Sequence, residues 1–477
     1  MGTRRILFST HGSVTYLPPL AFSDRQMICG PFYADERKHG KTLSLRTEKG
    51  EYCLKELISG LPVSERPDLI FVRADASRRN LPRNTRGTGA QTVLVVGDTH
   101  HLDRPIAGLL TYALEERFDH ILFDYTRQHA HYFVEAGLTD VKWLPGFNVH
   151  QYPGGGKRSI KHVLTFVGQI GKYHAQRKRV IQDLVKIGLP LKTIETLPME
   201  AQMVHRESLI SLNVSLNGDL NQRVLEIVGA GGLCLTDRLQ PQAGLELLFE
   251  NEKELVVYSG FADLVERIGH YAREPGDALR VAAAGLKRYN ENYSAEHMMA
   301  ELNAILEGQS GSEVFSLMNE RRVSAGRTNE RLKLFHRIKL YEVVQLLHAR
   351  RPYMAVHCTA GVDPLLVSDL VDLSRVVLTM SNRLPRKNRV LIETKIEKGQ
   401  VSYIDDSPGV PQELDLLITT RSDLEPACSH PEGIRNNESC SGVLVCDLYM
   451  DSDAGRVMRI LESRGFKQNS RFDFFWS

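Results

Sequence analysis

Two periodicities alternate along this chain. Short apolar runs of strand length occur at Arg5–Ser9, Asp68–Val72, Thr92–Gly97, His120–Asp124 and Val141–Leu144. Stretches with apolar residues at helical spacing, Ile106–Arg117 and Ala130–Ala136, separate the later ones. Continuous apolar strands interleaved with amphipathic helices predict a parallel sheet covered on both faces. Pro145 and the run Gly154-Gly155-Gly156 break the pattern and predict a hinge. The alternation then resumes with Val163–Gly168, a basic helix from Ala175, and apolar runs at Leu209–Val214, Leu233–Thr236 and Leu255–Tyr258. Helical segments follow at Asp277–Asn290 and Ala295–Leu306.

Residues 309–331 are polar and contain glycine and serine, which predicts a linker. Beyond it a helix at Leu332–Ala349 and strands at Tyr353–Cys358, Val376–Met380, Leu414–Thr419 and Val443–Leu448 predict a third α/β unit. The domain boundaries expected are therefore 1–156, 157–308, a linker 309–331 and an extension 332–477. No repeat of solenoid length interrupts this order.

With 477 residues the chain has length for two or three separate cores. A net charge of +2 excludes a chain built around nucleic-acid binding or an acidic tail. No run approaches the ~18–20 apolar residues of a membrane span. The start, Met1-Gly2-Thr3-Arg4-Arg5, leads directly into a strand without a signal-peptide core. The 7 cysteines are scattered and lack Cys-x-x-Cys spacing, so they read as reduced thiols of a cytoplasmic protein.

The most informative stretch is 215–238. A polar loop with Asn217, Gly218, Asp219 and Asn221 runs into a short helix, and Gly229-Ala230-Gly231-Gly232 lets that helix stop close to the strand Leu233–Thr236. Arg223 and Glu226 share one helical face, while Val224, Leu225, Ile227 and Val228 fill the other. A loop feeding a helix N-terminus offers free N–H groups and a positive dipole end to a diphosphate, and a glutamate one turn further can accept bonds from ribose hydroxyls. The plainer alternative is an exposed Arg223–Glu226 pair worth ~0.2–0.5 kcal/mol.

The run Asn-Gln-Arg-Val-Leu-Glu-Ile-Val-Gly-Ala-Gly-Gly-Leu-Cys-Leu-Thr-Asp-Arg, followed by Gly244-Leu245-Glu246 and Val256-Val257-Tyr258, resembles the C-terminal half of group 1 GT-B glycosyltransferases, nearest those related to spore-maturation glycosyltransferases. That resemblance implies two facing Rossmann-like domains and a nucleoside-diphosphate sugar as substrate, without a cofactor or metal. It assigns the ribose contact to Glu226. Retaining relatives carry a second glutamate eight positions earlier; Gly218 stands there, so the stereochemical outcome stays open. The donor-side residues expected are Gly168, Lys172, Arg177, Asn217, Asn221, Arg223, Glu226 and Asp237.

On the other half, Gly97-Asp98-Thr99-His100-His101 follows a strong strand and should face the cleft, since ligands of doubly wound sheets bind at carboxyl ends of strands. Asp98, His100 and His101 are the expected catalytic groups, as base or as support for the departing diphosphate. Their structural alternative is a cap with two ordinary histidines. Ser9-Thr10-His11-Gly12-Ser13 follows the first strand, and the resemblance lays such a loop against donor or acceptor; a tight turn serves as well. A second polar cluster, Asp124, Tyr125, Arg127, His129 and His131, offers an acceptor-side lining.

The expected acceptor is a glycan or protein: a polysaccharide, a lipid-linked glycan or a polypeptide. Nucleic acid is excluded as partner, and peripheral membrane association stays open. A sugar-nucleotide epimerase and a noncatalytic scaffold are the rival functions. The ending, with Leu461-Glu-Ser-Arg-Gly465-Phe466 and a closing Phe472–Trp476 strand, is similar to the last helix and hairpin of class I methyltransferases. The loop His357-Cys358-Thr359-Ala360-Gly361 lacks their glycine-rich cofactor pattern, which implies a degenerate extension.

Overall fold

The computed structural model describes residues 4–11, 26–33, 36–38, 42–100, 102, 104–146, 158–171, 174–309, 328–349, 354–359, 362–370, 373, 376–381, 401–404, 416–420, 442–445, 461–462, 467–469 and 474–476. It divides into two compact units, Met1–Leu334 and Phe335–Ser477. The α/β class expected from the alternation is the class observed.

The first unit holds two principal sheets. Its first ten strands are β1 (Ile6–Ser9), β2 (Gln26–Gly30), β3 (Glu36–Lys38), β4 (Thr42–Arg46), β5 (Gly50–Cys53), β6 (Leu69–Ala74), β7 (Asn80–Arg83), β8 (Gln91–Val96), β9 (His120–Phe123) and β10 (Val141–Trp143). Eight of them form a sheet in the order β10-β9-β8-β6-β1-β2-β4-β3, parallel except for β3, while β5 and β7 pair separately. The central strands read as unbroken apolar runs because both faces are covered: Ile6, Leu7, Leu69, Ile70, Val93 and Leu94 are fully buried. The region from Gln26 to Arg46, three strands at one side of this sheet, has no clear strand period in the sequence.

The second sheet contains β11 (His162–Val167), β12 (Leu191–Ile194), β13 (Ser208–Asn213), β14 (Leu233–Asp237) and β15 (Val256–Tyr258), all parallel, ordered β12-β11-β13-β14-β15. Relative to its own first strand the order is 2-1-3-4-5. The connections leave β11 toward opposite sides, so a crevice opens at the carboxyl ends of β11 and β13, where such sheets bind ligands. The helix Ala175–Lys186 covers one face with Arg177, Ile181 and Leu184 turned inward. The helix Gln222–Gly229 buries Val224, Leu225, Ile227 and Val228. Its end is glycine for steric reasons. A Cβ at Gly229 would stand 2.9 Å from the Tyr289 ring, and Gly231 has φ +78°.

The two sheets of this unit are joined at separate points. Arg127 donates to the Gln242 carbonyl at 2.8 Å. Gly244, with φ +83°, leaves room for the Trp143 ring, which would lie 2.6 Å from an added Cβ. Gln91 at the far end of β8 donates to the Leu306 carbonyl at 2.9 Å.

The second unit contains β16 (Met354–Cys358), β17 (Val376–Ser381), β18 (Val401–Ile404), β19 (Leu416–Thr419), β20 (Gly442–Val445), β21 (Lys467–Asn469) and β22 (Phe474–Trp476). They form one sheet in the order β18-β17-β16-β19-β20-β22-β21, in which β22 is antiparallel to both neighbours. A buried ion pair, Arg337 to Asp369 at 3.0 Å, ties the helix Thr328–His348 to the helix Pro364–Leu370. Among the described residues no helix is long and apolar enough to cross a membrane.

Candidate functional site

The loop 214–221 leaves β13 at the switch-point crevice. Its turn requires left-handed backbone at two successive positions, Asn217 (φ +51°) and Gly218 (φ +76°), which suits asparagine and glycine. Asp219 then closes the turn by accepting from the Leu216 N–H at 2.7 Å. Asp237, at the end of β14, holds the loop from beneath: its two oxygens accept from Ser215 N at 2.8 Å and Ser215 Oγ at 2.5 Å. Asn221 caps the following helix by accepting from Arg223 N at 3.1 Å.

Arg223 spans the crevice. Its Nε donates to the Val167 carbonyl ending β11, and its Nη1 to Asn213 Oδ1 ending β13 at 2.8 Å. The guanidinium carbon lies 4.8 Å from the centre of the Phe166 ring. Gly168, at φ +140°, is what lets it in, because a Cβ there would stand 2.3 Å from Arg223 Nη2. Arg177 enters from the other side, donating to the Val214 carbonyl at 3.2 and 3.0 Å and to Gln169 O at 3.0 Å. Burial, then the neighbouring Arg223 charge, pushes the Arg177 guanidinium down to about 9. Neither arginine has a carboxylate within ion-pair distance among the described residues.

The plainer alternative, an exposed Arg223–Glu226 pair, therefore does not form; the arginine turns toward the strands. Glu226 stays one turn inside the helix, half-buried. Burial raises its carboxyl above the usual range, with Arg223 opposing. Two phenols share its surroundings, Tyr289 of the same half and Tyr125 of the first sheet, and Glu226 adds to the burial that raises each. Asp219 is buried too, and its carboxyl is raised by that burial against the opposing pull of His100.

The carboxyl edge of the first sheet faces this loop. His100 Nε2 lies 3.8 Å from Asp219 Oδ2. Its ring centre is 5.3 Å from that of His129, whose Nδ1 meets Thr99 Oγ1 at 2.7 Å. Asp98 does not cap the helix that starts at Pro105; its Oδ1 accepts from the His100 N–H at 2.7 Å and tightens the strand-end turn. Next to it, on the neighbouring strand end, His11 Nε2 meets Asp75 Oδ2 at 3.0 Å.

The fold thus gathers Gly168, Arg177, Asn217, Asn221, Arg223, Glu226 and Asp237 at one crevice and brings His100 against it, with Asp98 adjacent. Within this set Asp237, Asn221 and Arg177 are occupied in shaping the loop. His101 and Lys172 lie outside the described residues. Sequence reasoning passed over Asp219, Asn213, Phe166 and Tyr289 as site members, and Asp75 entirely. Asp219 already stood in the polar loop, but the others become neighbours only through the sheet order. Among the described residues no group of His, Cys, Asp and Glu is placed to hold a metal ion.

Residues 196–304, which include this loop and helix, match the model of a glycosyl transferase-like family. Over that segment the chain is glycosyltransferase-like. Among curated proteins nothing matches. Similar solved structures include the Anabaena protein HepE in complex with UDP and glucose, at 13% identity over 64% of this chain and 100% of that chain, with a TM-score of 0.45. A sucrose-phosphate synthase from Thermosynechococcus elongatus is 11% identical over 64% of this chain and 98% of its own, with a TM-score of 0.45.

Proposed function

We propose that the first unit is a GT-B glycosyltransferase that moves a sugar from a nucleoside diphosphate to a hydroxyl of a glycan or protein acceptor. The observation that carries this reading is the charge at the switch-point crevice. Two arginines, the buried Arg177 and the half-buried Arg223, neither within ion-pair distance of a carboxylate among the described residues, flank a left-handed turn that feeds a capped helix. A diphosphate would meet both guanidiniums, and its departure in transfer is eased by them and by the helix N-terminus. Glu226, half-buried beside them, suits the ribose hydroxyls. The match of 196–304 to a glycosyl transferase-like family supports the assignment.

The acceptor side is the carboxyl edge of the first sheet, with Asp98 and His100 beside the donor loop. Excluding water between the halves would limit hydrolysis of the donor. The proposed divisions of labour are 1–156 for the acceptor, 157–308 for the donor, and 332–477 as a methyltransferase-like extension. The order of its sheet, with an antiparallel seventh strand beside the fifth, supports that last assignment. Thr359 Oγ1 donates to Thr419 Oγ1 at 3.1 Å across the ends of β16 and β19, both side chains buried, at the crevice a cofactor would need. With the loop His357-Cys358-Thr359-Ala360-Gly361 lacking a glycine-rich pattern, the extension is proposed to be degenerate and not to bind S-adenosylmethionine.

The test is a thermal-shift screen of UDP, GDP, CDP, ADP and dTDP. A nucleotide at a hundredfold its Kd stabilises the native form by about 2.7 kcal/mol. No shift with any of the five sinks the reading. Sugar-nucleotide conversion without transfer to an acceptor would favour an epimerase instead.

A further inference from the structure

We propose that the acceptor is acidic, with a carboxylate or phosphate-ester group that Arg73 binds between the phenols of Tyr33 and Tyr125. The proposal deepens the glycosyl-transfer reading and rests on it.

Arg73 is the last residue but one of β6, in register with Val95 of β8. Gly97, just past β8, leaves its side chain a path to the carboxyl edge, for a Cβ there would lie 3.7 Å from Arg73 Nε. The Arg73 carbonyl accepts from Asn80 Nδ2 at 3.0 Å. Its guanidinium has no hydrogen bond and no ion pair among the described residues. Five N–H donors on a half-buried cation thus lack a protein acceptor. The carboxylate two residues on is committed elsewhere. Asp75 meets His11 Nε2 at 3.0 Å and accepts from Ser77 N at 2.8 Å and Ser77 Oγ at 2.5 Å.

Two phenols flank the arginine. The sheet order β9-β8-β6-β1-β2 puts Tyr125, after β9, two strands to one side and Tyr33, after β2, two strands to the other. Strands stand about 4.8 Å apart, so each phenol starts roughly 10 Å from Arg73, with room for a glycan unit between. Tyr33 is buried, and a Cβ on Gly30 would lie 3.0 Å from its Cε2, so the ring folds back over the strand end. Both hydroxyls are shielded from solvent and have no hydrogen-bond partner. Burial raises both phenols, helped by Cys29 at Tyr33 and by Asp124 and Glu226 at Tyr125, and the Arg73 charge opposes the rise at each. Both therefore stay protonated and able to donate. Two orphaned donors on either side of an unpaired cation favour an anion, whose oxygens relieve the cost of burying them unbonded.

The place in the sheet gives that anion to the acceptor. The donor's diphosphate has Arg177 and Arg223 at the second sheet's crevice. Arg73 and Tyr33 lie along the first sheet away from His100, the residue that meets the donor loop. Further positive charge stands on the same edge. Arg78 Nη2 donates to the Arg104 carbonyl at 3.3 Å, and Arg79 and Arg104 are exposed.

The test uses full-length protein with carbon-13-labelled tyrosine, saturated with the nucleotide chosen by the thermal-shift screen. Methyl glucuronide, glycerol 3-phosphate and neutral methyl glucoside are the probes, and Tyr33→Phe and Tyr125→Phe assign the two ring signals. At least one anion should shift both signals while methyl glucoside leaves them in place; the tighter anion tells a uronic acid from a phosphate ester. Arg73→Gln should weaken that binding about tenfold or more, with nucleotide affinity by calorimetry unchanged. Tyr125→Phe, read on the Tyr33 signal, should weaken it roughly 2–10-fold, which keeps a test if Arg73→Gln does not fold. Signals that neither anion moves overturn the proposal, as does an equal response to methyl glucoside or full anion binding by Arg73→Gln. A matching fall in nucleotide affinity in Arg73→Gln assigns the arginine to the donor diphosphate and overturns it too. If wild type binds none of the five nucleotides, the transfer reading itself fails, which calorimetry separates from normal nucleotide binding with unmoved phenols.

Discussion

His100 Nε2 and Asp219 Oδ2 meet at 3.8 Å, one from the strand-end turn of the first sheet and one from the loop that opens the second sheet's crevice. The imidazole opposes, without cancelling, the burial that raises the Asp219 carboxyl. A carboxyl raised in the folded chain binds its proton more tightly there than when unfolded. Folding stability is then fullest below the ordinary value of 3.8 and falls as pH climbs through the raised native value. Asp219→Asn keeps an oxygen for the Leu216 N–H and removes the titration. Its Tm relative to wild type should rise as pH climbs above the ordinary value of 3.8 and level off once pH passes the raised native value. A constant Tm difference over that interval would show that Asp219 is not held protonated by burial.

Glu226→Ala should weaken nucleotide binding by about 1.5–3 kcal/mol, the worth of hydrogen bonds to a charged group, or roughly 10–150-fold in Kd. Calorimetry with the nucleotide chosen by the thermal-shift screen measures it. Removal of a half-buried carboxyl raised by its surroundings should leave the apo Tm level or higher. Unchanged affinity takes Glu226 out of the site.

Gly168→Ala should damage the crevice twice over. It imposes φ +140° on a residue with a Cβ and puts that Cβ 2.3 Å from Arg223 Nη2. Left-handed strain alone costs on the order of 1–3 kcal/mol, so the Tm should fall. Arg223 must also leave Val167 and Asn213, and nucleotide affinity should fall with it. A variant of wild-type Tm and affinity would refute the packing described.

Gly244→Ala probes the contact between the two sheets instead. An added Cβ would lie 2.6 Å from the Trp143 ring and 3.0 Å from Arg127 Cδ, at φ +83°. The expected result is a lower Tm with proteolysis increased between the halves. Nucleotide affinity should change little, since the donor crevice belongs to the second sheet. A fall in affinity matching that of Gly168→Ala would contradict this separation.

Much of the fold was legible because burial on both faces writes parallel strands as continuous apolar runs. Leu209–Val214 and Leu233–Thr236 could be read directly, and the helix Gln222–Gly229 declared itself by its glycines. The strands between Gln26 and Arg46 did not, because strands near the margin of a sheet carry a mixed pattern with weak period. The candidate donor loop was legible for a similar reason: Asn217 and Gly218 are the residue types a left-handed turn requires. The partners of Arg223 were not, since a helical spacing of three pointed to Glu226 while two strand ends distant in sequence supplied better acceptors.

By itself the sequence determined the α/β alternation, the breaks between its sections and the polar loop leading into a glycine-ended helix, all of which depend on local backbone preference and burial period. Only the tertiary structure decided that Arg177, 5.6 Å from the centre of the Phe166 ring, and Arg223 converge on it, that His100 approaches Asp219, and that His11 and Asp75 pair just beyond the ends of β1 and β6. Those relations follow from strand order and register, which bring together residues separated by tens of positions and leave no mark in any local window of the chain.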